Sequence, residues 1–354
     1  MSISVSGSQI TFNDGSTQDT AATAGLVNRI INGNMVIDQR NAGASVTPTD
    51  TGAGTYTVDR FYARISQASK VAYQQNAGSV TPPAGFVNYI GLTSTSAYSI
   101  TSTDHFALTQ AIEGLNVADL AWGTVNAQPI TLSFWVRSSL TGTFGGSLAN
   151  ASVNRCYVYS YTISSANTWE YKTVTIAGDT SGTWATNNTV GLYINWNIGA
   201  GSSTTGTAGS WGSTFYRSVT GQTSVVGTNG ATFYITGVDL RKGSTAPSAY
   251  NRDWRPYGTE LQLCQRYYEV GLDRNAILWA GNTTLNGVYY SNKGFCVTKR
   301  ASATVTTSNE TIFGFGSGTP SLNIDTTGIQ ASRTAGSTTS AGYYFYNWTA
   351  SAEL

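Results

Sequence analysis

From Val190 to Ile198 every second residue is apolar: Val190, Leu192, Ile194, Trp196 and Ile198 fall on one side, and Gly191, Tyr193, Asn195 and Asn197 on the other. Side chains that alternate with a period of two belong to a strand with one buried face. The same alternation sets Leu132, Phe134 and Val136 against Ser133, Trp135 and Arg137, and puts Tyr157, Tyr159 and Tyr161 on a single face. It returns in Phe233 and Ile235, is interrupted at Gly237, and resumes with Val238 and Leu240. Many short runs of this kind, separated by Gly, Asn, Ser and Thr, with almost no amphipathic helix, indicate an all-β chain folded as an antiparallel sandwich. Trp196 is expected in the core, and Trp135 beside Arg137 suggests a second face on which a guanidinium stacks over an indole.

Two stretches read as helical. Ala111 to Trp122 repeats Ile112, Leu115, Ala118 or Asp119, and Trp122 at steps of three to four. Thr259 to Gln262 fits a capping box, with Leu261 and Cys264 on one face and Tyr268 following at helical spacing. Between Ser244 and Pro256 the chain is rich in Pro and polar residues and reads as a surface connection. The charges in or beside it, Arg241, Lys242, Arg252, Arg255 and Arg266 with Asp239, Asp253 and Glu260, read as solvated groups and inter-domain ion pairs.

The resulting division is an N-terminal arm over 1–26, a first β-domain over 27–243, a connection over 244–258 and a second, smaller β-domain over 259–354. Leu26 to Ile31 reads as a helical turn or as the lead into a strand at Met35 to Ile37. Tyr56 to Ile65 reads as the first clear strand, in which Asp59, Arg60 and Arg64 are structural charges. In the second domain, strands are expected at Ile277 to Ala280, Val288 to Tyr290, Gly294 to Thr298, Ala301 to Thr307, Thr311 to Phe315, Gly328 to Arg333 and Tyr343 to Thr349. The last carries large side chains on both faces, which suggests a second sandwich or a contact between subunits. No repeat of fixed period emerges, against the stacked rungs of a β-helix.

Several separated blocks make the chain recognisable: NGNMVIDQRNAGASVT, YTVDRFYAR, QPITLSFWVRSS, GVDLRKGSTAPSAYNRDWRPYGTELQLCQRYYEV and YYFYNWTASAEL, in that order. They resemble the tail-fibre and related virion structural proteins of tailed bacteriophages that carry a jelly-roll domain of carbohydrate-binding-module type. The resemblance covers most of Asn32 to Leu354. It narrows the sandwich to a jelly roll and implies a location on the virion, at the tail or the particle surface. ITFNDGSTQDTA, with turn chemistry at Asn13 to Gly15, resembles the short N-terminal segments by which fibre proteins attach to other virion proteins. Fibres of this resemblance are commonly threefold, which implies a homotrimer. Carbohydrate-binding jelly rolls often hold a structural calcium through carboxylates and carbonyls, so the resemblance allows one here; no EF-hand-like spacing locates it, and no other cofactor is expected.

Composition fits that setting. Only 10% of the 354 residues are charged, so solubility rests on hydroxyls and amides, and 19 basic against 18 acidic residues leave a net charge of +1. Such a chain has no field to draw in nucleic acid. Cys156, Cys264 and Cys296 are too few and too scattered for a disulfide framework or a zinc ribbon, and Cys156 and Cys264 read as small buried apolar residues. No apolar run reaches the roughly 20 residues that span a bilayer, and Met1 to Phe12 lacks the regions of a signal peptide, so no membrane insertion is expected. The acceptor-like tripeptides at Asn187, Asn282, Asn309 and Asn347 are read as chance matches.

Catalytic constellations are missing from the sequence. His105 is the one histidine, its neighbour Asp104 points to the opposite face of a strand, and no G-x-S-x-G surrounds a serine. A carboxylate pair for glycoside cleavage would come from Glu113, Glu170, Asp179 and Asp239, each of which also has a plain structural reading. Aromatics are abundant instead, 9 Trp, 21 Tyr and 12 Phe among hydroxyl and amide residues. A flat ring against the C–H face of a sugar, rimmed by polar groups, grips a neutral glycan. Trp184, Trp211 and Tyr216 are the candidate platform, with Trp279, Tyr289 and Tyr290 as an alternative. The Gly/Ser/Thr-rich loops Gly199 to Thr207 and Ser218 to Gly230 are where ligand contact is expected. These readings converge on a non-enzymatic tail fibre or receptor-binding protein that contacts host surface polysaccharide. A capsid-surface decoration or fibre protein and a polysaccharide depolymerase are the alternatives.

Overall fold

The computed structural model describes residues 4–6, 9–11, 17–18, 27–249, 254–272 and 276–354. Its larger part is an antiparallel jelly-roll sandwich. One sheet has seven strands in the order Trp211–Gly212, Cys156–Ile163, Gly142–Ala149, Val190–Ala200, His105–Glu113, Phe61–Ile65 and Thr55–Tyr56. The other has five: Glu170–Ile176, Ile130–Ser138, Thr232–Lys242, Ile90–Ser94 and Val71–Gln75. The alternation sets the register. Trp196 lies opposite Leu108, and Ile194 opposite Leu148, so their apolar faces point together into a core that also takes Phe134, Val136, Phe233 and Leu240. Trp196 is fully buried, and Tyr157, Tyr159 and Tyr161 line the same core. Arg137 stacks over Tyr234 at 5.5 Å, while Trp135 packs on Tyr171 at 5.6 Å, so the guanidinium finds a different ring from its sequence neighbour.

Ala111 to Trp122 is not a helix. Ala111, Ile112 and Glu113 finish the strand His105–Glu113, paired with Tyr193, Leu192 and Val190, and two 3-10 turns follow at Gly114–Asn116 and Ala118–Leu120. Ile112, Leu120 and Trp122 do enter the core, so the apolar spacing is served by strand and turns instead. Gly114 fixes the change of direction, since a Cβ there would stand 2.4 Å from the Ala185 carbonyl oxygen. Tyr56 to Ile65 is likewise a hairpin and not a single strand: Tyr56 pairs with Tyr62 across a turn whose Arg60 has φ 70°. Leu26 to Ile37 holds neither helix nor strand among its described residues. The Asn28 side chain bonds the backbone at Val238 and Leu240, and that of Asn32 bonds both polar groups of Ile37, which keeps a buried irregular segment satisfied.

The helix runs Tyr257–Gln265, two residues ahead of the capping box. Pro256 stands at its N-cap with no side-chain cap bond, and its fixed φ of −54° starts the turn in place of Thr259. Cys264 is buried with Ile31, Ile37 and Tyr267, and Leu261 packs beside them. Tyr268 has left the helix and opens the strand Tyr268–Gly271. That strand, Ile277–Thr283 and Thr304–Phe313 all pair with Thr339–Ser351, while Val288–Gly294, Gly328–Thr334 and Ser321–Ile324 form a second sheet. Tyr344, Tyr346 and Trp348 fill the second core with Ile277, Ile329 and Ala331. Gly294 to Thr298 is not a strand, because the chain leaves the ladder after Gly294. Ala301 to Thr307 and Thr311 to Phe315 merge into one strand that shifts register near Asn309, φ 49°. Ser4–Ser6, Gln9–Thr11 and Thr17–Gln18 pair antiparallel; the turn expected at Asn13 to Gly15 lies outside the described residues.

Charges bind the helix and the second core to the sandwich. Arg266 meets buried Glu113 at 2.6 Å, and the Tyr267 hydroxyl donates to the same carboxylate at 2.7 Å. Arg40 meets Glu353 at 3.0 Å, Arg60 donates to the other Glu353 oxygen, and Arg60 stacks on Tyr267 at 3.5 Å. Arg255 pairs with Glu260 at 3.1 Å and Arg241 with Asp239 at 2.6 Å, while Arg252 and Asp253 lie outside the described residues.

Candidate functional site

Trp184 and Trp211 come together. Their ring centroids are 5.4 Å apart and edge to face, with Trp122 at 4.7 Å from the first and 5.2 Å from the second, and Tyr157 at 5.3 Å from Trp211. Both indole N–H groups donate to backbone, Trp184 to Ser181 at 3.1 Å and Trp211 to Ala177 at 2.7 Å. The two rings are half-buried and rest on the sandwich core. Tyr216 does not join them by ring contact: its ring covers Gly206, where a Cβ would stand 2.3 Å from Cδ2. In the second domain Trp279 and Tyr289 pack on each other at 4.7 Å and on the core, while Tyr290 faces solvent.

A concavity of about 470 Å³ opens among the loops at one end of the sandwich. Tyr98 and Ile100 form its apolar side; Ser99, Thr101, Ser102, Ser202 and Ser224 give it a hydroxyl rim. It draws on both loops singled out above, through Gly201 and Ser202 on one and Ser224 and Gly227 on the other. Gly201 allows the backbones to close beneath it, since a Cβ there would fall 2.0 Å from the Thr101 carbonyl oxygen. The Tyr98 ring is fixed from both ends. Its edge-to-face partner Phe106 lies at 5.8 Å in the core, and its hydroxyl donates to Asp104 at 2.8 Å.

Asp104 organises this end. It is buried and accepts from Thr101 N–H at 2.8 Å, Thr101 Oγ1 at 2.7 Å and Ser66 Oγ at 2.8 Å, besides Tyr98. Burial alone would raise its carboxyl, but the bonds from Thr101, Ser66 and Tyr98 outweigh it and hold the group below the usual carboxylate range. The same bond raises the Tyr98 phenol. Sequence reasoning passed over Tyr98: in Thr95 to Asp104 it is one aromatic in a hydroxyl-rich run. Only the folding of Thr101 and Ser66 onto Asp104 shows that the ring is held in place.

The four carboxylates weighed for glycoside cleavage are each engaged. Glu113 takes Arg266 and Tyr267, Glu170 takes Lys172 at 2.5 Å, Asp179 takes Arg155 at 2.7 Å and Asp239 takes Arg241. Among the described residues no group of three or more His, Cys, Asp and Glu gathers as a metal-ligand set. Cys156 and Cys264 are buried, and burial raises both thiols, Cys156 to about 11.

No family model matches the chain, and no curated protein matches it in sequence. Solved structures match it at low similarity. The enzymatically active domain of tailspike protein 4 from bacteriophage CBA120 matches with a TM-score of 0.32 and 14% identity over 61% of this chain; the match spans 21% of the length of that chain, about a fifth. A family 11 carbohydrate-binding module from Clostridium thermocellum, solved with a β-1,3-1,4-mixed-linked tetrasaccharide, matches with a TM-score of 0.28 and 15% identity over 58% of this chain and 100% of that one. A xylan-binding domain from Paenibacillus barcinonensis matches at 0.25 and 10% identity, over 58% and 99%.

Proposed function

We propose that this protein is a non-enzymatic virion structural protein of a tailed phage, a tail fibre or receptor-binding protein whose jelly roll contacts host surface glycan. The observation that carries the glycan reading is the Tyr98 concavity: an immobilised ring beside exposed hydroxyls, with the Lys70 ammonium over the ring at 5.3 Å, in a space of the size that holds one or two sugar units. A sugar places its C–H face on such a ring and its hydroxyls on the rim. The half-buried rings of Trp184 and Trp211 offer a second aromatic surface. Each contact is weak alone, and several copies on one particle raise the effective concentration. The virion assignment rests on the sequence resemblance described above, with the arm over 1–26 as the attachment segment and 27–243 and 259–354 as the two β-domains.

Electron microscopy of particles carrying a tag on this protein tests the virion assignment and also separates tail from capsid surface. Signal absent from the particle would sink it. New reducing ends on incubation with host polysaccharide would move the reading to a depolymerase; the account expects none.

A further inference from the structure

The outward face of the seven-stranded sheet carries a second, much smaller cleft of about 20 Å³. The register builds it: Tyr62 and Asn195 both lie opposite Thr109, and Arg64 lies opposite Ala107 on the same face. Over them folds the segment Phe215–Arg217, anchored by the Arg217 N–H on the Thr204 carbonyl at 2.7 Å and by the pairing of Thr205–Gly206 with Ser218–Val219. Arg217 stacks on Phe215 at 4.4 Å and Arg64 reaches toward Tyr62 at 5.9 Å, so aromatic faces position both guanidinia.

These two arginines lack a counter-charge among the described residues, and unlike Arg300, which spends its donors on the Ala352, Asn188 and Glu353 carbonyls, they leave most of theirs free. Arg40, Arg60, Arg155, Arg255 and Arg266 each meet a carboxylate. Among the described residues neither Arg64 nor Arg217 does; Arg64 gives one N–H to the Gly52 carbonyl at 2.6 Å, and the Arg217 guanidinium donates no hydrogen bond. Burial first, and then the charge of Arg64, push Arg217 down to about 10, still a cation at neutral pH. Two like charges therefore line one cleft, the Arg217 fork unused and the Arg64 fork with a single N–H spent on Gly52, and such planar forks match the two oxygens of a carboxylate. A volume of about 20 Å³ admits water-sized groups such as those oxygens and leaves the rest of a ligand outside. Outside, the turn Ser202–Thr204 separates this cleft from the Tyr98 concavity: Ser203 N–H bonds the Ser102 carbonyl, and the Thr204 carbonyl takes Arg217.

We propose that the Arg64–Arg217 cleft is the anion subsite of the glycan surface and takes the carboxylate of an acidic saccharide unit, an inference that rests on the glycan-binding reading above. His105, the one histidine in the chain, reports on it. Burial, then the charges of Arg217 and Arg64, push its imidazole down to about 4, against a backbone bond at Thr103 and the Asp104 charge, which raise it. A carboxylate on the two arginines removes part of that field.

The test uses NMR of the His105 imidazole in the full-length protein at constant ionic strength. It is titrated with methyl glucuronoside and with methyl glucoside, which differ by one carboxylate. The glucuronoside should raise the His105 midpoint by about half a unit or more, and the glucoside should leave it unmoved. Arg217→Gln should abolish the response with an unchanged melting temperature, and Arg64→Gln gives the same reading should the first variant fold poorly. A midpoint unmoved by glucuronoside, or moved equally by glucoside or by sodium sulfate, overturns the proposal. A flat His105 response with neutral-glycan binding that Ser102→Trp blocks would overturn this subsite alone and leave the glycan reading standing. A glucuronoside response with no neutral-glycan binding would support the subsite and count against the Tyr98 concavity.

Discussion

Asp59, Arg60 and Arg64 sit close together in sequence and meet three different fates. Asp59 is fully buried and takes Gln39 N–H at 3.0 Å with Arg40 at 3.8 Å; burial pushes its carboxyl up to about 6 against those partners. Arg60 crosses to Glu353, and Arg64 meets no acid among the described residues. The sequence reads all three as structural charges; the structure gives the first two charged partners and the third none among the described residues, a difference that alternation does not report because the partners lie far along the chain. His105 gives the pH prediction at this scale. Its depressed imidazole contributes stability that is fully present above about pH 6.5, the unfolded value, and is lost as pH falls through about 4. Asp59 works in the opposite sense, contributing most below its ordinary carboxylate range and losing that contribution as pH rises through about 6. The NMR midpoint of His105 should lie near 4 in the wild type and rise in Arg217→Gln; a wild-type midpoint between 6 and 7 would contradict the placement. Trp211→Ala should cost about 2–3 kcal/mol in urea denaturation, since the ring is half-buried and only part of a core-sized cavity opens.

Among the elements, long alternating runs were legible and the apolar spacing of Ala111 to Trp122 misled. Apolar residues at three- to four-residue steps also fit a strand end followed by two tight turns, and what decides is whether a neighbouring strand takes the backbone, as Val190–Ala200 does here. Pro256 displaced the capping box in the same way, a local constraint overriding a side-chain pattern. Tyr267, and not Tyr268, became the buried aromatic because the helix ends at Gln265 and the next strand alternates from Tyr268. The seam at Glu113 can be tested directly. Arg266→Ala leaves that carboxylate buried with only Tyr267 as a side-chain partner and should cost about 3 kcal/mol. Adding Glu113→Gln, which removes the stranded charge, should recover part of the loss. Equal losses in the single and double variants would contradict a charge-based seam.

For the whole molecule the all-β class and the core were readable from alternation, whereas the Tyr98 concavity and the Arg64–Arg217 cleft assemble from loops and strands distant in sequence. The terminal strand buries Tyr344, Tyr346 and Trp348, while its other face presents Tyr343, which meets Phe313 at 5.8 Å, beside exposed Leu278 opposite Phe345. For the homotrimer that the sequence resemblance implies, that apolar row is a candidate contact between copies, and light scattering on the full-length protein should then give a mass near three times 37.4 kDa. A clean monomer at micromolar concentration would contradict the trimer.

The most direct measurement is retention of the purified full-length protein on an array of bacterial surface polysaccharides, run beside Ser102→Trp. Ser102 is exposed on the rim, so an indole there fills the concavity without disturbing the core. The account predicts that the wild type is retained on a subset of glycans with little dependence on salt for neutral ones, and that Ser102→Trp, melting at the same temperature, loses that retention. A wild type retained by no glycan, or a folded Ser102→Trp retained as strongly as the wild type, would contradict it.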